Sequence, residues 1–204
     1  RMAAAPELVE QRSLYLYRAA LHAESSFRFR DSEPLWLERS ELLRGMPRAE
    51  ALFRAAQAAD AAGNSLAAER AVEKALAIIR ESGDRRAEGM SVAELGAVYR
   101  LTGRTTLAES AFLTSAALFR AAGDDRALAV TLGNLGSVYM QTGRPDEAEA
   151  TFRKALESLQ SGQNLPSRGV VLANLAILLW ETGRLEDAER MQAASESSSI
   201  ELLA

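Results

Sequence analysis

Two asparagine residues, Asn134 and Asn174, have the side-chain type and the spacing needed to hold another polypeptide. A side-chain amide offers both hydrogen-bond donors and an acceptor, so it can pair with the two polar groups of a peptide bond. The residues lie 40 positions apart, a spacing that recurs along the chain and predicts the same height on neighbouring helices. Three arrangements stay open at this stage: the amides contact a bound chain, face solvent, or bridge adjacent helices.

Residues suited to catalysis or metal binding are scarce. The chain has one His, His22, and no Cys, which excludes disulfides, thiolate metal sites and Cys–His catalytic pairs. The acidic pairs Glu147/Glu149 and Glu186/Asp187 fall where helices are predicted to begin, and carboxylates there suit the helix dipole. No glycine-rich phosphate loop follows a strand. We therefore predict no enzyme activity, no cofactor and no metal.

Composition and charge narrow the class of partner. Of 204 residues, 24 are Lys or Arg and 28 are Asp or Glu, and the absence of a long basic run argues against nucleic acid. The most apolar run, residues 169–180, is too short to span a bilayer, which argues against membrane insertion. The chain shows no signal-peptide pattern. Together with the lack of Cys, this predicts a cytoplasmic protein, and the Arg-rich basic content (only Lys74 and Lys154 are lysines) fits a bacterial one.

A period of 40 residues organises the chain from Pro47 onward, with two helices in each unit. Glycines recur at the predicted turn inside each pair of helices, where a left-handed residue ends the first helix: Gly63, Gly103, Gly143 and Gly183. Gly83-Asp84 and Gly123-Asp124 separate successive pairs, with Gly ending one helix and Asp capping the next. We predict helices near 48–62, 65–82, 85–102, 105–122, 125–142, 145–161, 167–182 and 185–197.

The third unit shows which side of each helix packs. Leu132, Leu135 and Tyr139 form an apolar stripe on its first helix, and Gly136 lies among them. The second helix carries an answering stripe of Ala148, Phe152 and Ala155. Gly136 is predicted to let the two helices approach closely.

These residues resemble the tetratricopeptide repeat, in the roughly 40-residue variety of kinesin light chains, LGN scaffolds and bacterial Rap regulators. The third unit meets the motif in full, at Leu135, Gly136, Tyr139, Gly143, Ala148, Phe152 and Ala155, and the other units meet it in part. The resemblance implies an all-α fold, a right-handed α-solenoid of about four helical hairpins. In the last unit Gln192 and Ser195 replace the expected Phe and Ala, which predicts a polar outer face and the end of the array.

The same pattern divides the chain into three parts. We predict an N-terminal helical segment over 1–46, a repeat array over 47–197 (units near 47–83, 84–123, 124–163 and 164–197), and a C-terminal cap or tail over 198–204. In the N-terminal segment, Asp31 or Ser32 is predicted to cap a second helix with Pro34 in its first turn. Its aromatic residues Trp36, Phe27 and Phe29 are predicted to pack.

The resemblance also implies a binding surface, because the first helix of each pair lines the concave groove in this family. The candidate peptide-binding residues are Asn134, Asn174, Ser137, Met140, Gln141, Ala97, Arg100, Ile177, Trp180 and Glu181. Floor positions that hold Lys or Arg in chaperone-binding relatives are Ala93, Ala97, Gly133 and Ser137 here, which argues against a chaperone tail as ligand. Trp180 either anchors a partner or covers the end of the stack.

These features predict a non-enzymatic interaction scaffold or adaptor that binds an extended or helical segment of a partner protein. Two alternatives stay open. The chain is a ligand- or peptide-sensing regulatory module of a bacterial signalling protein, or it forms homo-oligomers through Trp180 or through the tail around Leu202 and Leu203.

Overall fold

The fold is built only from helices within residues 6–159 and 165–200, which are the residues that this computed structural model describes. Ten helices follow one another there: α1 (Pro6–Ser25), α2 (Phe29–Leu42), α3 (Gly45–Ala61), α4 (Ser65–Ser82), α5 (Arg85–Leu101), α6 (Thr105–Ala122), α7 (Asp125–Gln141), α8 (Pro145–Ser158), α9 (Leu165–Glu181) and α10 (Leu185–Ile200). The all-α prediction is confirmed. None of the described helices is both long and apolar enough to cross a membrane.

Local sequence signals end most helices within one residue of the predicted position, whereas α8 ends three residues earlier than predicted, at Ser158, and α10 three residues later, at Ile200. All four turn glycines and both junction glycines have positive φ, for example 70° at Gly143 and 68° at Gly123. The Asp124 carboxylate accepts a hydrogen bond from the Ala127 N–H at 3.0 Å and caps α7. Pro145 lies in the first turn of α8, where its missing N–H costs no helical hydrogen bond.

Two predicted helix starts are wrong. Helix α2 begins at Phe29 after Arg28, so neither Asp31 nor Ser32 is its cap, and Ser32 is buried inside the helix. Helix α9 begins at Leu165, two residues before the predicted start near 167. Pro166 is the second residue of α9, where its fixed φ suits the first turn. Pro34 lies inside α2, five residues after its start, so the prediction that it lies in the first turn is wrong.

The chain divides into two compact units, Arg1–Val98 and Tyr99–Ala204, with the boundary inside α5. In the first unit α1 packs on α2, α2 on α3, and α3 on α4. Trp36 of α2 is buried, its ring lies edge-on to Tyr17 of α1, and its indole N–H donates to Glu24. Phe27, by contrast, is 83% exposed in a left-handed turn, so the prediction that it packs is wrong.

In the second unit α6 packs on α7, α7 on both α8 and α9, α8 on α9, and α9 on α10. The predicted apolar stripes of α7 and α8 pack against each other. Leu135, Ala148 and Phe152 are each at most 2% exposed. A Cβ atom added to Gly136 would lie 2.5 Å from the Phe152 ring, so the absence of a side chain permits this contact. The division into residues 1–46, 47–197 and 198–204 stays a prediction, and Leu202 and Leu203 lie outside the described residues.

Candidate functional site

A cleft between α7 and α9 brings Asn134 and Asn174 together. Its cavity volume is about 220 Å³. We call it the asparagine cleft, and its lining residues are Val130, Gly133, Asn134, Pro166, Ser167, Val170, Val171 and Asn174. None of these eight residues is charged. The cleft therefore offers amide and hydroxyl groups between apolar walls.

Close packing of the two helices forms the floor of the cleft. Helix α9 approaches α7 at Gly133, where an added Cβ would lie 3.5 Å from the Val171 side chain. Val171 is buried, whereas Val130 and Val170 are 45% and 63% exposed. The exposed valines flank the floor and leave apolar surface available to a ligand.

The two amides remain available for a ligand. Both Asn134 and Asn174 are half-buried, and among the described residues neither side chain has a hydrogen-bond partner. They do not bridge their helices through a mutual hydrogen bond. Of the three arrangements that the sequence left open, bridging of adjacent helices is therefore removed. The amides either face solvent or contact a bound chain.

Other predicted groove residues on α7 differ in what they offer. The Ser137 hydroxyl donates to the Gly133 carbonyl at 3.1 Å, so its proton is used within the helix. Met140 is half-buried near the end of α7, and Gln141 is exposed beside it. None of these three lines the asparagine cleft.

The predicted residues at the end of α9 lie in a different place. Ile177 and Trp180 line a depression between α9 and α10, and Glu181 is exposed at the end of α9. We call this surface the α9–α10 depression. Ala97 belongs to the first unit and Arg100 to the second, and both are half-exposed. The ten predicted residues therefore do not form one cavity.

Sequence reasoning left Pro166 and Ser167 out of the site. They line the cleft because α9 begins at Leu165 and its first turn lies beside Val130. Pro166 lies just before the start near residue 167 that the sequence predicted for this helix. Its compatibility with a first turn was the signal that could have placed both residues in the helix.

Arginine side chains join consecutive hairpins of the second unit. Arg144, before α8, donates to the Glu109 carboxylate of α6 at 2.7 Å, and its guanidinium lies 4.3 Å from the centre of the Tyr139 ring. One period later, Arg184 donates to Glu149 at 2.8 Å. Hydrogen bonds to Glu147 and then Glu109 raise the pKa of Arg144 further above its usual range. This ladder holds neighbouring hairpins in register.

Glu94 occupies, on α5, the position of the repeat that Asn134 occupies on α7 and Asn174 on α9. Burial raises the pKa of Glu94 above its ordinary value, and the negative charge of Asp60 raises it further. A carboxyl group in this environment is costly to ionise. Among the described residues, no cluster of His, Asp and Glu is suited to holding a metal ion.

Solved structures of known proteins share the fold but little sequence. BtubC (BKLC) from P. vanneervenii matches with a TM-score of 0.75 at 17% identity, covering 96% of this chain and 92% of that chain. Aspartyl phosphate phosphatase F from Bacillus subtilis matches with a TM-score of 0.85 at 12% identity, covering 96% of this chain and 52% of that chain. The Rap conjugation gene regulator of plasmid pLS20, solved in complex with the Phr* peptide, matches with a TM-score of 0.73 at 18% identity, covering 90% and 52%.

Sequence comparison identifies the repeat itself. No curated protein matches the chain. A family model described as tetratricopeptide repeat matches residues 86–161 and 128–197, which together make up more than half of the chain. The helical hairpins, their turn glycines and the packing of Gly136 on Phe152 agree with that match. The chain belongs to the tetratricopeptide repeat family.

Proposed function

We propose that this protein is an interaction module that binds an extended peptide segment of another protein in the asparagine cleft. The observation that carries the proposal is the pair of half-buried amides, Asn134 and Asn174, which share one cleft and have no partner among the described residues. Each amide matches the donor and acceptor of a peptide bond. The period of the repeat sets the distance between them.

The size and chemistry of the cleft favour a peptide over a small-molecule ligand. Its volume of about 220 Å³ is below the range of roughly 300–1,000 Å³ that holds a drug-sized molecule. Val130 and Val170 suit an apolar side chain of the bound segment, and the uncharged lining needs no charged group from it. The structural likeness to a Rap regulator solved with a peptide supports the same class of ligand.

A selection of displayed random peptides against the purified protein tests the proposal. The affinity of the selected peptides is then compared between the wild-type protein and the variant Asn134→Ala/Asn174→Ala. Loss of two backbone hydrogen bonds of about 1 kcal/mol each should weaken binding by roughly 30-fold. Circular dichroism and thermal melting check that the variant keeps its fold.

Gln11→Ala is the matched control, since it removes an exposed amide of α1, which lines neither the asparagine cleft nor the α9–α10 depression. It should leave the affinity unchanged. Selected peptides that bind the double Asn variant as tightly as the wild type would show that the cleft is not the binding site.

A further inference from the structure

The turn between α1 and α2 has the backbone geometry of the turns inside the later hairpins. In it, the Phe27 N–H donates to the carbonyl three residues earlier at 2.9 Å, and the Arg28 N–H donates to the carbonyl five residues earlier at 2.8 Å. The Gly143 and Arg144 N–H groups make the same two hydrogen bonds, at 3.1 and 2.9 Å. Phe27 therefore occupies the position that a glycine with positive φ occupies in each later hairpin.

Burial aligns the α1–α2 hairpin with the next one. Trp36 of α2 lies 36 positions before Val72 of α4, and both side chains are at most 1% exposed. Phe27 lies the same number of positions before Gly63. The two hairpins therefore share their packing as well as their turn, and they differ at the residue that forms the turn.

Phenylalanine is a costly residue at this position. Phe27 has a φ of 54°, in the left-handed region that a Cβ atom disfavours and that glycine adopts freely. Among the described residues it is the one non-glycine with a positive φ. The fold gains little from the ring in return, because the side chain is 83% exposed. A bulky residue that strains the backbone without being buried points to a role outside the folded chain.

The exposure of Phe27 is a property of the turn and does not depend on which hairpins flank it. In the hairpin of Gly143, α6 packs on α7 and α9 packs on α8, so the hairpin is covered on two sides. A Cβ atom added to Gly143 would still meet nothing within 4 Å, and the same is true of Gly63, Gly103 and Gly183. Helix α1 has 20 residues, about 30 Å, so the turn is also distant from the start of that helix.

A depression with a cavity volume of about 360 Å³ lies beside the Phe27 ring. Residues 27–31 line it together with the C-terminal end of α3, and we call this surface the Phe27 patch. The Phe27 and Phe29 rings lie edge to face with their centres 6.2 Å apart. Arg28 pairs with Asp31 at 3.5 Å, whereas Arg30 is exposed and has no ion-pair partner among the described residues. The patch therefore combines aromatic surface with an excess of positive charge.

We propose that the Phe27 patch binds an acidic segment of another protein that carries an aromatic residue. The partner's ring packs against Phe27 in the depression, and its carboxylates pair with Arg30 and Arg28. Charge complementarity favours this occupant, since two arginines and one aspartate line the patch. The patch and the asparagine cleft share no lining residue, so the two binding surfaces are independent.

An anionic membrane is a less suitable occupant of the Phe27 patch. The chain has a net charge of −4, and the field of the whole protein opposes its approach to a negatively charged surface. The patch is also concave, which suits an inserted side chain better than a flat layer of lipid headgroups.

Selection from two displayed peptide libraries tests the proposal. Both libraries have a fixed central Trp, which is flanked by random positions rich in Asp and Glu in the first library and rich in Lys and Arg in the second. The target is the full chain with Asn134→Ala/Asn174→Ala, so that the result does not depend on the asparagine cleft. We expect enrichment from the acidic library and none from the basic one.

Fluorescence anisotropy of the labelled, selected peptides gives the dissociation constant for the wild-type chain and for each variant. Phe27→Gly should weaken binding by at least about tenfold, because it removes the aromatic anchor. It should raise the melting temperature or leave it unchanged, because glycine relieves the backbone strain. Arg30→Glu should weaken binding about fivefold. Tyr15→Ala is the matched control, since it removes an exposed ring of α1 outside the patch and should leave the affinity unchanged.

Selected peptides that bind Phe27→Gly as tightly as the wild type would overturn the proposal, as would a lack of enrichment from the acidic library. A melting temperature lowered by Phe27→Gly would also overturn it, by showing that the ring stabilises the fold. Co-sedimentation with vesicles of phosphatidylcholine and phosphatidylserine tests the other occupant. Vesicle binding by the wild type that Phe27→Gly abolishes would assign the patch to a membrane surface instead.

Discussion

At Gly136, the absence of a single Cβ atom determines how closely α7 and α8 approach. A Cβ there would lie 2.5 Å from a Phe152 ring atom, and Phe152 is fully buried, so the ring or one of the helices would have to shift. A Cβ added to Gly133, three residues earlier, would lie 3.5 Å from a side-chain carbon of Val171, which is an ordinary van der Waals contact. Two glycines in one helix therefore have different roles.

We expect Gly136→Ala to lower the free energy of unfolding by about 1–2 kcal/mol, because overpacking costs more than the gain in helix propensity. Gly133→Ala should be neutral or raise it by up to about 1 kcal/mol. Urea unfolding of the two variants and the wild type provides the comparison. Equal destabilisation by both would mean that the Phe152 ring moves aside without cost.

Glu94 is predicted to be a destabilising residue at neutral pH. Its pKa is raised by burial and by Asp60, so the folded protein binds a proton more tightly than the unfolded chain does. Stability is therefore lost as the pH rises from the ordinary carboxyl pKa, about 4.3, through the raised pKa of Glu94. Glu94→Gln should stabilise the protein at pH 7, and its advantage should disappear at pH 4.

Thermal or urea unfolding of the wild type and Glu94→Gln at both pH values measures this dependence. Glu88→Gln is a suitable control, since Glu88 lies on the same helix and pairs with Arg80 at 2.9 Å. An advantage of Glu94→Gln that is equally large at pH 4 would show that ionisation is not its cause.

At the scale of the helices, most boundaries could be predicted because they depend on residues within one turn. The structure gives α4 as 65–82 and α6 as 105–122, the ranges that the glycine spacing predicted. Positive φ at Gly83 and Gly123 and the caps at Asp84 and Asp124 are local effects. The start of α2 could not be placed in this way, because the side chain of Arg28 at its N-cap makes no capping hydrogen bond.

Asp124→Ala should lower the free energy of unfolding by about 1 kcal/mol, because the first turn of α7 loses the acceptor for the Ala127 N–H. Asp125→Ala, at the adjacent position, removes a carboxylate of the first turn that makes no capping bond and should cost only a few tenths of a kcal/mol. Urea unfolding of both variants gives the comparison. If the two losses are equal, the dipole and not the cap stabilises this helix end.

The last helix shows how tertiary packing changes the role of a residue. Ser195 was interpreted as part of a polar outer face of α10. It is buried instead, and its hydroxyl donates to the Gly169 carbonyl of α9 at 2.9 Å. Gln192 is exposed as that interpretation requires. Whether a polar residue faces water or a neighbouring carbonyl depends on how α10 is rotated against α9, and local sequence does not specify that rotation.

For the whole molecule, the separate packing of two compact units predicts local responses to mutation. Repeat proteins gain stability mainly from neighbouring elements, so a defect should spread over a short distance. Phe152→Ala removes a core side chain of the second unit at a cost of about 3 kcal/mol or more. We expect amide hydrogen exchange to accelerate by about 100-fold in α7 to α9 and to change little in α1 to α3.

Leu52→Ala is the mirror experiment, since Leu52 lies in a core cluster of the first unit with Ala49, Ala75 and Ile79. It should accelerate exchange in α3 and α4 and leave α8 and α9 protected. Mass spectrometry of exchanged peptides resolves the helices. A uniform increase along the chain in both variants would mean that the protein unfolds as one cooperative body.

The sequence by itself determined the fold family, the hairpins and the register of Asn134 and Asn174, because glycines, caps and apolar stripes act within one or two turns of helix. Only the tertiary structure decided which predicted groove residues share a cavity. Asn134 and Asn174 share one cleft, whereas Ile177 and Trp180 belong to the α9–α10 depression. The physical reason is that a cavity depends on how α7, α9 and α10 are rotated and spaced against one another, which contacts between helices fix.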